Sequence, residues 1–217
     1  MQIIQDFIPI GRKNRPAGKN PIKYITIHNT GNSGIGSGAK SHSSYIKSDT
    51  AANLPVSWHY TVDDKLIYQH LPDAETAYHA GDGSGPGNTQ SIGIEICQNN
   101  DGNLLAATEN TVNLVVALCK KYNIPTSNIV QHKHWSNKGC PGMLIANKPY
   151  SWDTFISKVK TQLTEKTKEE ITVDNALADG IITERDYWLG VLRGTITANP
   201  DYIKIVMDNA HNKIRLN

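Results

Sequence analysis

The sequence predicts an α/β protein, with a mixed central β-sheet flanked by helices, followed by a small all-α unit. Three observations carry this expectation. Short β-branched runs over 23–28 and 91–97, bounded by Gly, Pro, Asn and Gln, read as strands. Between and after them, apolar residues recur at helical spacing over 108–122 and 151–163. Beyond residue 163 only helical signals remain. Strands interspersed with helices imply layers packed about one sheet.

Taken in order, residues 1–21 carry Pro9, Pro16, Gly18 and Pro21 and read as an irregular lead-in across the surface. The run 23–28 delivers His28 to one end of the sheet. The Gly-rich stretch 29–38 lacks the Gly-Lys-Ser/Thr ending of a phosphate loop and reads as a plain turn before a short helix at 39–48. Segments 57–62 and 65–70 flank Asp63-Asp64 and read as an antiparallel hairpin. The polar loop 78–88 is long enough to suggest function. In 91–97 small or polar residues alternate with branched apolar ones, leaving Glu95 among apolar neighbours, where an unpaired carboxylate is costly. Thr108 is the expected N-cap of the helix 108–122, with Pro125 beyond its end. A strand at 129–131 leads into 132–142, which Gly and Pro mark as loop. The helix 151–163 then places Trp152, Phe155, Ile156 and Val159 on one face.

The composition shift sets the expected domains: 1–163, a charged linker at 164–172, and a helical unit at 173–217. In the last, Gly180 stops 173–178, Thr183 caps 184–192, and Asn199-Pro200 opens a helix through Asn212. Ile203, Val206, Met207, Ala210 and Ile214 follow helical spacing. A unit of about 45 residues needs a well-packed core or a partner.

Apolar residues at 38% and charged residues at 19% fit a folded chain. Of the charges, residues 1–163 carry 15 basic and 11 acidic, and 164–217 carry 7 and 9. A mildly basic body suits an anionic polymer, while the acidic tail disfavours nucleic acid. No apolar run reaches bilayer length, so no membrane insertion is expected. Residues 1–6 lack the basic-then-apolar pattern of a secretory signal, which places synthesis in the cytoplasm. Three cysteines form no even framework, and Cys97 and Cys119 sit in apolar segments as core residues.

The chemistry concentrates in 132–142, where His132, His134, Lys138 and Cys140 fall within a few residues. A catalytic zinc takes three protein ligands and leaves one position to water. His28 is the best third donor, giving a His28/His132/Cys140 zinc site. His134, two residues from His132, would point the other way on an extended segment and is not counted. His42, His59 and His70 read as packing or surface residues.

Ile-Thr-Ile-His-Asn-Thr at 25–30, Trp-His-Tyr at 58–60, His-Ala-Gly-Asp-Gly at 79–83, Ser-Ile-Gly-Ile-Glu-Ile-Cys at 91–97 and His132 with Lys-Gly-Cys-Pro at 138–141 together resemble the type-2 N-acetylmuramoyl-L-alanine amidases. These are cell-wall hydrolases of phages and bacteria, similar in fold to the peptidoglycan-recognition proteins. The resemblance covers about 20–163 and says nothing of the tail. It implies a zinc on His28, His132 and Cys140, Glu95 as general base, and Lys138 stabilising the oxyanion. It further implies a groove for peptidoglycan lined by His79, Gly81 and Asp82. Trp58 and Trp135 are candidates for stacking on sugar faces, with packing as the alternative. Structural roles for Glu95 and Lys138 stay open. Many members carry Tyr where this chain has Trp58, and an indole cannot exchange a proton usefully.

The resemblance therefore implies a zinc-dependent peptidoglycan amidase that acts on the wall after release from the host cytoplasm, as a phage or prophage endolysin. The alternatives are a non-catalytic peptidoglycan-binding module, which Cys140 disfavours, and a zinc peptidase cutting a stem-peptide bond. The C-terminal helices are expected to bind a secondary cell-wall polymer or to self-associate.

Overall fold

The computed structural model describes residues 2–165 and 168–216; the side chains of 168 and 214–216 are outside that description. Lys166 and Thr167 of the expected linker and the Ile214 side chain of the expected helix face therefore lie outside it. The chain divides into two compact units, Met1–Leu163 and Thr164–Asn217.

In the first unit, β1 (Ile3–Gln5), β2 (Tyr24–Asn29), β3 (Tyr60–Val62), β4 (Ile67–Gln69), β5 (Ser91–Ile96) and β6 (Ile129–Gln131) form one sheet in the order β1-β4-β3-β5-β2-β6. The β3–β4 hairpin is antiparallel and the other neighbouring pairs are parallel, so the sheet is mixed. The helices are α1 (Ala39–Ile46), α2 (Asp49–Ala52), α3 (Pro86–Thr89), α4 (Leu104–Tyr122), α5 (Lys133–Ser136), α6 (Gly142–Ile145) and α7 (Trp152–Thr164). None is long and apolar enough to cross a membrane.

The register of β2 on β5 positions the site. Tyr24 pairs with Ser91, Thr26 with Gly93 and His28 with Glu95. Because successive side chains alternate faces, Ile25, Ile27, Ile92, Ile94 and Ile96 share the other face. There they are fully buried, in one core with Val112 and Val115 of α4 and Phe155 and Val159 of α7. Each buried isoleucine contributes roughly 2 kcal/mol. A one-residue slip would carry them all to the polar face. The isoleucines thus fix the register that sets His28 beside Glu95.

Within the first unit, the structure departs from the sequence reading at these elements. The lead-in is not wholly irregular: Ile3–Gln5 pairs in parallel with β4, and Ile8 is fully buried in a cluster with Ile46, Trp58, Leu71 and Ala77. Helix α4 begins at Leu104, not Thr108, because the Asn103 side chain accepts the Ala106 N–H as cap. The Thr108 hydroxyl instead donates to the Leu104 carbonyl at 2.7 Å, one turn back. Finally, 132–142 contains the single-turn helix α5 and the start of α6, with Asn137 in the left-handed region closing α5.

The second unit comprises α8 (Lys168–Ala178), α9 (Arg185–Leu192) and α10 (Pro200–Leu216). Helix starts well inside the expected linker 164–172: α8 opens at Lys168, with Glu169 and Glu170 favourably placed in its first turn. Glu184, not Thr183, occupies the cap position of α9. A small core joins Val173, Ile182 and Leu189, with Trp188 and Val206 packed against it. Gly190 lets Ile196 pack close there, since a Cβ would lie 2.5 Å from its Cδ1 and displace that side chain.

Candidate active site

The carboxyl ends of parallel strands are the usual place for ligands in such sheets, and the donors converge there. His28, one residue before the end of β2, is 1% exposed. His132 follows β6, its N–H bonded to the Ile27 carbonyl at 3.2 Å. Cys140 is held by two bonds: its carbonyl accepts the Lys133 N–H at 3.0 Å, and its own N–H donates to the Lys138 carbonyl at 2.7 Å. His28 Nδ1 lies 2.9 Å from His132 Nδ1 and 3.9 Å from Cys140 Sγ. The three donor atoms all fall within 4.8 Å of one another.

These residues fit a divalent metal. With metal bonds of about 2.0–2.1 Å to imidazole and about 2.3 Å to thiolate, tetrahedral donors stand roughly 3.3–3.6 Å apart, close to the distances found. Burial holds His28 well below the usual imidazole range, helped by His79, His132 and Lys138, and lowers His132 likewise, so both rings offer lone pairs. Burial pushes the Cys140 thiol up to about 11. A cation between the three would reverse that and favour the thiolate.

A cavity of about 710 Å³ opens over the cluster, lined among others by Trp58, His79, Gly81, Glu95 and Lys138. Glu95 stands next to His28, its Oε2 buried without a hydrogen-bond partner. Burial raises its carboxyl to about 7, opposed by the charge of Lys138. Lys138 is itself exposed on the cavity wall.

Other expected site residues stand differently. His79 lines the cavity, yet its Nδ1 lies 3.0 Å from His28 Nε2. Burial pushes its imidazole down to about 3. The half-buried Asp82 accepts the N–H groups of Gly87 and Asn88, organising the loop, and is not among the residues lining the cavity. Trp135 donates to Thr26 Oγ1 at 2.9 Å and meets Tyr24 edge-on, away from the cavity lining. Trp58 does line it, but its indole N–H is committed to Thr61 Oγ1 at 2.7 Å, whose hydroxyl bonds His70 Nε2 at 2.8 Å. The exposed His134 is absent from the donor cluster because it rides on helix α5, not because the segment is extended. His59 and His70 are buried packing residues, as expected. Sequence reading missed Asn88: its Oδ1 accepts the N–H groups of both His79 and Ala80 at 2.8 Å, and its Nδ2 donates to the Gly83 carbonyl. An Asn closing a Gly-rich loop was the available signal.

Residues 18–143 match the N-acetylmuramoyl-L-alanine amidase family, Amidase_2. The chain belongs to that family. It is 48% identical over 155 residues to the N-acetylmuramoyl-L-alanine amidase XlyA of Bacillus subtilis (strain 168), covering 71% of this chain and 50% of that protein. It is 42% identical over 181 residues to the amidase CwlH of the same organism, covering 83% of this chain and 69% of that protein. The chain thus spans about half the length of XlyA. Among amidase structures, the catalytic domain of XlyA superposes with a TM-score of 0.69 at 47% identity, over 73% of this chain and 99% of that domain. PlyL follows at 0.66 and 36%, over 73% of this chain and 97% of PlyL. The family match lies within the first unit, whereas the 83% of the chain aligned with CwlH is longer than that unit and so reaches into the second.

Proposed function

We propose that this chain hydrolyses the amide bond between N-acetylmuramic acid and L-alanine in bacterial peptidoglycan, using a zinc ion held by His28, His132 and Cys140. We further propose that it does so as a phage or prophage endolysin reaching the wall from the host cytoplasm. The observation that carries the reading is the pairing of His28 with Glu95 on adjacent strands, beside a His/His/Cys cluster under an open cavity. The names of its similar relatives support the substrate.

Zinc so held would polarise the amide carbonyl and make water a stronger nucleophile near neutral pH. Glu95, with a carboxyl raised to about 7 and one oxygen free of partners, is placed to take a proton from an attacking water and to return one to the leaving amine. Lys138 presents a fixed positive charge to the same cavity and offsets negative charge developing on the carbonyl oxygen. Trp58, with its N–H committed, contributes an apolar wall and no proton. His28, His132 and Cys140 would hold the ion, and the loop 79–88 would bound the groove that takes the glycan or stem peptide.

Metal analysis with activity tests this. The wild type should carry one zinc per chain and release muropeptide fragments, and Cys140→Ser should lose both. A Cys140→Ser protein that keeps zinc and activity contradicts the reading. For the second unit we propose wall-polymer binding or self-association, supported by exposed Tyr202, Ile203, Ile205 and Met207 on α10.

A further inference from the structure

His79 sits 51 residues from His28 in sequence and meets it ring to ring, edge-on at 90°. If His28 offers its Nδ1 lone pair to a metal, its proton must reside on Nε2, and a buried N–H needs an acceptor. The atom in place is His79 Nδ1, at 3.0 Å. The residue is located by its main chain and by one face of its ring, while the ring's Nε2 is buried without a hydrogen-bond partner. Its main-chain N–H donates to Asn88 Oδ1, and its flat face rests on the backbone of Gly93, where an added Cβ would lie 2.7 Å from His79 Cγ. Gly93 in turn has its N–H bound to His59 Nδ1 at 3.0 Å. A glycine inside a strand often marks such a close approach.

We propose that His79 is a positioning residue of the metal centre. It accepts the Nε2–H of His28 and so fixes the tautomer and ring plane with which His28 Nδ1 meets the ion, and Gly93 is the seat that admits it. This rests on the reading of His28, His132 and Cys140 as the metal site. Partners of this kind behind a ligating histidine typically change metal affinity about 10–100-fold when removed.

The test is zinc affinity of the full chain, measured by competition with a chromophoric chelator, beside the Tm of the zinc-free proteins. His79→Leu, which fills space without an acceptor, is expected to weaken zinc binding about 10–100-fold at little change in zinc-free Tm. His79→Asn, whose Oδ1 can take the place of Nδ1, is expected to restore most of it. Gly93→Ala, which must displace the ring, should weaken binding with the native His79 in place. Folded His79→Leu binding zinc as tightly as wild type overturns the proposal while leaving the metal site standing. If His79→Leu does not fold, unchanged affinity in Gly93→Ala overturns it. A wild type that binds no zinc removes the metal reading and this proposal together.

Discussion

At the scale of single residues, the state of Glu95 is decided by burial against the charge of Lys138, and burial wins, leaving the carboxyl at about 7. As the proposed general base, it must be unprotonated to act. Hydrolysis should therefore rise with pH and level off at or below about pH 7, since a bound cation acts in the same direction as Lys138. Removing the opposing charge raises the Glu95 carboxyl further, so Lys138→Met should move that limb of the kcat/KM profile to higher pH. A limb that stays put or moves down contradicts the assignment. Glu95→Gln should lower kcat by about 10²–10⁴-fold with zinc content unchanged; loss of zinc instead would make Glu95 a structural carboxylate. His28, His132 and Cys140 were legible because soft donors at a strand end and in one short segment have few structural uses. The placement of His79 was not, because its partnership depends on a fold that brings Gly93 and His28 together across the sheet. The structural bonds of Asp82, which accepts two N–H groups within its loop, and of Trp135, which donates to Thr26 of β2, were not legible either, because they depend on the folded arrangement around them.

At the scale of elements, two side chains, Asn88 and Asp82, hold the loop that walls the cavity. Asn88 accepts two main-chain N–H groups and donates to a carbonyl. Asn88→Ala leaves two buried donors unmet, at about 1–3 kcal/mol each. The expected result is faster proteolytic cleavage within 79–88 and a fall in kcat/KM, while Asn88→Asp, which keeps the acceptor, should be milder. Equal cleavage rates in Asn88→Ala and wild type would contradict this. Strands β2 and β5 were readable from their isoleucine alternation. Strand β1 was not, since three residues carry too little pattern and its stability comes from pairing with β4. The start of α4 was misread because a threonine hydroxyl can bond back one turn as well as cap.

At the scale of the whole first unit, Asp73 ties sheet to helix. Its carboxylate accepts from Tyr60 of β3, Gln69 Nε2 of β4 at 3.0 Å, and Tyr122 and Lys121 of α4 at 2.6 and 3.1 Å. Burial raises its pKa, but the bonds from Tyr122, Tyr60 and Lys121 outweigh that and hold it below the usual carboxylate value. A depressed folded pKa adds stability above the unfolded value near 3.9 and loses it as pH falls through the folded one. Asp73→Asn should therefore have a lower Tm than wild type at pH 7, with the gap closing below about pH 4; a gap independent of pH contradicts the account. The boundary at Thr164 was legible from composition, whereas the role of the tail was not, since its exposed apolar residues name no partner. A chain ending at Thr164 should keep muropeptide hydrolysis and lose binding to whole walls or a larger solution mass.

The amidase reading itself is tested most directly by mass spectrometry of fragments released from purified muropeptides, in a chelator and after zinc is restored. The account predicts an intact stem peptide with a free L-alanine amino terminus, lost in chelator and regained with zinc. Fragments cut within the stem peptide, or release that chelation leaves unchanged, would contradict it.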